Sequence, residues 1–148
     1  MKLYRGFADV VQSGTIKNNY RTTSRNPKDT PTNIHCIADK WFEEKFGIKA
    51  RSEAIFCSTD IEQAGRYGKL FEVLFGDGAE YKLIFSKDVY DFTEIMCEVE
   101  DRDNSDCILA WLEKKQYQMV SCIDELPREF HGEVMVDCEV YDIVEFKE

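Results

Sequence analysis

Ser52 to Phe75 reads SEAIFCSTDIEQAGRYGKLFEVLF, and three kinds of local structure are spelled out along it. Glu53 to Ser58 is a compact apolar run ending in a hydroxyl, which reads as a buried strand. Thr59-Asp60-Ile61-Glu62 offers short polar side chains able to cap a helix that runs to Tyr67 and is closed by Gly68. Leu70 to Phe75 then returns to β-type residues. A strand, a short helix and a second strand so close together predict a fold that mixes both element types at small scale.

Working outward toward the N-terminus, Ile34, Ile37, Ala38, Trp41, Phe42 and Phe46 recur at helical spacing. Asn33 is placed to cap that helix and Gly47 to end it. Gln12 to Asn33 is polar and broken by Asn26-Pro27 and Thr30-Pro31, which predicts a long loop, and Lys2 to Ala8 reads as a first strand. The Asn26–Pro31 stretch is either a rigid connector or a functional segment, a lid over a cleft or part of an adenosine pocket, with Arg25 or Lys28 near a phosphate.

Toward the C-terminus, Glu80 to Phe85 is a strand that Gly76-Asp77-Gly78 would join to Leu70–Phe75 as a hairpin. Asp103 to Lys115 reads as a second amphipathic helix, and the acidic run Glu98 to Asp106 as a solvated loop. Tyr117–Cys122, Gly132–Cys138 and Val140–Phe146 are short strands, the last two separated by Glu139 alone, where a tight turn or bulge is expected. There is no internal repeat. The expectation is an α+β fold, a single domain over residues 1–148 with mixed or antiparallel sheets and a few helices.

Composition narrows the functions available. The chain has 148 residues, 43% of them hydrophobic, a length sufficient for a core without a disulfide or metal staple. Nineteen Lys and Arg against 29 Asp and Glu give a formal charge of −10, which disfavours nonspecific binding to nucleic acid. The same charge suits contact with a basic surface on another protein. No apolar leader or long apolar run is present, so a cytoplasmic protein with free thiols and no membrane span is expected. Six cysteines and two histidines match no zinc-ligand spacing, so no metal is expected, and Cys57, Cys97 and Cys138 read as small core residues.

The catalytic motifs GxSxG, HExxH and the P-loop are absent. Three other places carry chemistry. Tyr4-Arg5-Gly6 sets an arginine inside an apolar strand, where its fork needs either a carboxylate or an anionic ligand such as a diphosphate. Ser58 and Thr59 leave a strand with two hydroxyls that either cap a helix or orient a ligand. Glu133 opens the run Val134-Met135-Val136 and points either into a cleft or to an exposed strand end.

Arginine on a first strand, Ser-Thr on a later strand and a C-terminal glutamate, in that order, resemble the mono-ADP-ribosyltransferase-like family in its Arg/Ser-Thr-Ser/Glu branch. SEAIFCSTDIEQAGRYGKLFEVLF is similar to that family's central segment, and HGEVMVDCEVYDIVEF to its terminal segment, in which the glutamate opens a strand followed by a hairpin return. The resemblance implies an ADP-ribosyltransferase-like fold and NAD as co-substrate. It implies that Arg5 holds a phosphate or the adjoining ribose, and that Gly6 admits the nicotinamide amide close to the backbone. Ser58 and Thr59 would brace the strand and position the nicotinamide ribose, and Tyr67, on the helix that follows, either lines the pocket or is a core tyrosine. Glu133 would be the catalytic carboxylate.

Two departures bear on the acceptor. Asp60 stands in place of the third Ser, and His131 stands two residues before Glu133, where members that modify arginine carry Glu or Gln. His131 is therefore a candidate to receive a proton from a different acceptor. The resemblance implies transfer of ADP-ribose to a macromolecule, more readily a protein than a nucleic acid, and small size with an accessory-like composition suggests, by analogy, a toxin, effector or phage-type modifier. Two other readings remain open: NAD glycohydrolase activity on the same fold, and a non-catalytic acidic inhibitor that mimics nucleic-acid charge.

Overall fold

In a computed structural model that describes Met1 to Lys147, strands pair only antiparallel, in the order β2-β8-β4-β1-β3-β7-β5-β6. They are β1 Leu3–Phe7, β2 Gly14–Lys17, β3 Ile55–Ser58, β4 Lys69–Leu74, β5 Tyr81–Phe85, β6 Gln118–Val120, β7 Glu133–Cys138 and β8 Val140–Glu145. The helices are α1 Thr32–Phe46, α2 Ile61–Gly65, α3 Ile95–Glu98 and α4 Ser105–Lys114, with short 3-10 turns between elements. The fold class is α+β in one domain, with one antiparallel sheet rather than several mixed ones.

The sheet is bent in the middle. Glu139 alone separates β7 from β8, so their facing ends lie at most about 7.6 Å apart along the chain. In sheet order β4, β1 and β3 intervene, which in a flat sheet would hold them about 19 Å apart. The two halves must therefore fold toward each other. The bend falls between β1 and β3, whose ladder has Tyr4 opposite Ser58 as its one registered pair. Asn18 fastens the β7–β8 corner: its backbone N–H donates to Glu139 O at 2.9 Å, and its side-chain amide donates to Cys138 O at 2.9 Å and Glu53 O at 2.8 Å.

Alternation along the strands sorts the core into two layers. Val134, Val136 and Cys138 of β7, Leu83 and Phe85 of β5, and Ile55 and Cys57 of β3 pack with Leu3, Phe71, Val73, Tyr141 and Ile143 of the other half-sheet. The opposite face, through Met135 and Ile84, packs under Ile34, Ala38 and Phe42 of α1 and Ile108, Trp111 and Leu112 of α4. Trp41 ties the two long helices by donating its indole N–H to Glu113 at 2.9 Å.

Several local expectations are corrected. β4 and β5 do not pair with each other: β4 lies between β1 and β8, and β5 between β7 and β6, so Gly76–Gly78 links distant places in the sheet. The terminal segment makes no hairpin return, because β8 pairs with β4 and β2. The Gln12–Asn33 segment contains β2 and a 3-10 turn, Asn19–Arg21. Asn33 lies within α1 and donates to Arg102 O, while Pro31 occupies the cap position; Gly47 does close α1, with φ of 77°. Cys57 and Cys138 are buried but Cys97 is exposed, and none of the six cysteines is bonded to another.

Candidate functional site

Register places the motif residues side by side. Tyr4 faces Ser58 across β1–β3, and Ser58 faces Glu133 across β3–β7, so the motif positions of three strands meet where the half-sheets part. The parting leaves β3 carbonyl groups without a full ladder toward β1. Arg5 takes up one of them, donating from Nη1 to Phe56 O at 2.8 Å. Arg5, Gly6, Ser58, Tyr67 and Glu133 line one cavity of about 810 Å³, together with Arg25, Arg51, Tyr20 and the Asn26–Thr30 loop.

Two anticipated residues do not line it. Thr59 accepts a hydrogen bond from Gly132 N at 3.0 Å and donates to Phe130 O at 3.4 Å, bracing the loop that leads into β7. His131 is 64% exposed, sits 3.3 Å from Asp60 and stacks on Tyr90 with ring centroids 5.4 Å apart. Tyr90 donates its hydroxyl to Asp60, which holds the Asp60 carboxyl below its ordinary range and pushes the phenol up to about 12.

Gly6 is a glycine for a reason within the fold: a Cβ there would lie 2.1 Å from Ala64 O. The close approach it permits is that of α2. Asp60 caps that helix by accepting from Glu62 N, and Ser58 Oγ donates to Gln63 Oε1 at 2.5 Å, so the Ser58 hydroxyl is fixed before any ligand arrives. Tyr67 is half exposed at the rim, and burial raises its phenol, with Asp91 and Glu133 adding to the effect.

Glu133 is held by an arginine that the sequence does not single out. Arg51 Nη1 donates to Glu133 Oε1 at 2.7 Å, with side chains 7% and 15% exposed. Asp39 on α1 orients that arginine's segment by accepting from Arg51 N, Ser52 N and Ser52 Oγ at 2.7–3.0 Å. The second oxygen, Oε2, receives only a long 3.4 Å contact from Phe92 N. A carboxylate so placed has one oxygen anchored and one available to a ligand hydroxyl. Among the described residues no three His, Cys, Asp or Glu side chains gather as a metal-binding group, and no helix is long and apolar enough to cross a membrane.

No protein-family model, curated protein or solved structure matches the chain. The functional reading therefore rests on the cavity and on the residues that meet there.

Proposed function

We propose that the chain is an ADP-ribosyltransferase-like enzyme that cleaves NAD and transfers ADP-ribose to a macromolecular acceptor. The observation that carries this reading is the meeting of Arg5, Ser58 and Glu133, far apart in sequence, on the wall of one 810 Å³ cavity. That volume lies within the roughly 300–1,000 Å³ typical of small-molecule sites. Arg5 supports the fit to a diphosphate: it lines the cavity and forms no ion pair among the described residues, which leaves its charge available to an anionic ligand.

In the reaction the bond from ribose C1′ to the nicotinamide nitrogen breaks, and its electron pair returns the pyridinium to neutral nicotinamide. Positive charge spreads over C1′ and the ring oxygen. Glu133, anchored through Oε1 by Arg51, uses Oε2 to accept from the ribose 2′-hydroxyl and faces that charge with a fixed carboxylate. The acceptor's lone pair then forms the new bond at C1′, and its proton passes to solvent. Water as acceptor would make the same site a glycohydrolase.

The test is nicotinamide release from NAD by the purified protein, with and without cell lysate, in wild type and Glu133→Gln. Release by wild type should fall at least roughly a hundredfold in the variant, the scale of removing one preorganised electrostatic group. Dependence on lysate would identify transfer to a macromolecule, and release without it hydrolysis. Absence of release in both conditions overturns the reading.

A further inference from the structure

His131, the residue anticipated to take a proton from the attacking nucleophile, does not line the cavity, so that step of the reaction needs another group. Four carboxylates do line it, those of Asp9, Asp29, Asp91 and Glu133. Glu133 is engaged by Arg51 and faces the sugar cation. Asp9 and Asp29 are exposed, and among the described residues no hydrogen bond aims either side chain. Asp91 is half-buried and is held from several directions.

The chain on both sides of Asp91 is fastened to Glu133. Tyr90 O accepts from Glu133 N at 2.9 Å, and Phe92 N lies 3.4 Å from Glu133 Oε2. Tyr90 O also accepts from Gln63 Nε2 at 2.8 Å, and Gln63 accepts from Ser58, so the network that fixes the Ser58 hydroxyl also fixes the backbone that carries Asp91. The side chain is set in turn. Its Oδ1 accepts from Thr93 N at 2.9 Å and from Thr93 Oγ1 at 2.8 Å, while Glu94 Oε2 accepts from Asp91 N at 2.7 Å. Burial raises the Tyr67 phenol, and the charges of Asp91, Glu133 and Asp29 add to it in that order, as carboxylates turned toward the same rim would.

These bonds also make a helix cap, since Asp91 and Glu94 form a capping box on the 3-10 turn Phe92–Glu94. Capping needs an acceptor oxygen, which Asn or Ser supplies as well as Asp does. The cap does not account for the charge. Asp91 forms no ion pair among the described residues, and its neighbours on both sides touch Glu133, so it is an uncompensated anion close to another carboxylate. A like charge kept there works against folding, and proton chemistry in the cleft accounts for it.

We propose that Asp91 is the general base of this site, its carboxylate taking the proton from the nucleophile that attacks C1′. The assignment rests on the NAD-cleaving reading and supplies the proton acceptor that His131 does not. As a lone pair of the nucleophile forms the bond to C1′, the electron pair of its bond to hydrogen stays on the nucleophile. The proton passes to Asp91 and from there to solvent. Two carboxylates thus divide the work: Glu133 faces the positive charge left by the departing nicotinamide, and Asp91 receives the proton.

The experiment measures nicotinamide release from NAD by the purified chain in wild type, Asp91→Asn and Glu133→Gln, first with water and cell lysate as the nucleophiles and then with sodium azide added. Asp91→Asn keeps the cap oxygen and should unfold at the wild-type urea concentration. With water or lysate its kcat should fall roughly a hundred- to ten-thousandfold, the scale of general base catalysis, with KM for NAD unchanged. Azide attacks C1′ with no proton to give up, so azide should bring release by Asp91→Asn to within about threefold of wild type, whereas Glu133→Gln should stay low. Release by Asp91→Asn equal to wild type without azide overturns the assignment. So does a loss that azide does not restore, because a residue that merely shapes the wall would impair every nucleophile alike. Absence of release by wild type under every condition overturns the NAD-cleaving reading itself, and this assignment with it.

Discussion

Arg51 and Glu133 bring opposite charges to 2.7 Å in a place where water barely reaches either. Each would be expensive to leave alone, and breaking such a pair costs about 3–5 kcal/mol when both ions are fully buried. Residual exposure of Glu133 lowers the figure, so Arg51→Met should destabilise by roughly 2–4 kcal/mol in urea unfolding. Adding Glu133→Gln to it removes the stranded charge, and the double variant should be more stable than Arg51→Met alone. A single variant as stable as wild type would mean that the pair does not hold the site. Sequence reveals Arg5 because its charge interrupts an apolar run and Glu133 because it opens one. Arg51 precedes its strand in the polar-looking stretch Lys49-Ala50-Arg51-Ser52, and its partner is 82 positions away, so no local signal marks it. His131 misleads for the converse reason. Two residues before Glu133 would be the same strand face, but β7 begins at Glu133, and Gly132, with φ of 145°, turns the preceding residue toward Tyr90 and Asp60.

At the scale of elements, α2 is five residues long and would not persist alone; it is held by what it touches. Gly6 lets it lie against β1, and Gly68, at φ of 132° and with space for a Cβ closed by Phe7 O at 2.2 Å, lets the chain leave it and enter β4. A methyl at Gly6 would drive Ala64 O away, and α2 with it, and with α2 the Gln63 that fixes Ser58. Gly6→Ala should therefore cost about 1–3 kcal/mol in thermal or urea unfolding. It should also weaken ADP-ribose binding, because the same shift loosens the cavity wall; full stability and binding would show that the backbone relaxes without cost. The helices α1 and α4 and most strands are legible because their signals are local: apolar period, caps and β-branched runs. Strand partners are not. Gly76-Asp77-Gly78 is compatible with a hairpin, but Val73 and Leu83 are both wanted by the buried layer from opposite half-sheets, and that long-range demand separates β4 from β5.

For the molecule as a whole, the formal charge of −10 and a cavity walled by three arginines act in opposite directions on an anionic ligand. The body repels at long range, whereas Arg5 and Arg25 attract at contact, Arg51 being already balanced by Glu133. Salt distinguishes the ranges. Raising ionic strength from about 0.05 M to about 0.3 M shortens the screening length from roughly 14 Å to roughly 6 Å, which removes most of the body's repulsion and little of a half-buried contact. ADP-ribose at about 100 times its Kd should add about 2.7 kcal/mol to stability, and the accompanying rise in Tm should persist across that salt range. An acidic surface docked on a basic partner depends on many exposed charges and would release it steeply over the same interval. Thermal unfolding with and without ADP-ribose at both salt concentrations checks this. A ligand shift that vanishes at the higher concentration would place the binding on exposed charge rather than in the cleft between β1 and β3, and would favour an acidic interaction protein over an enzyme.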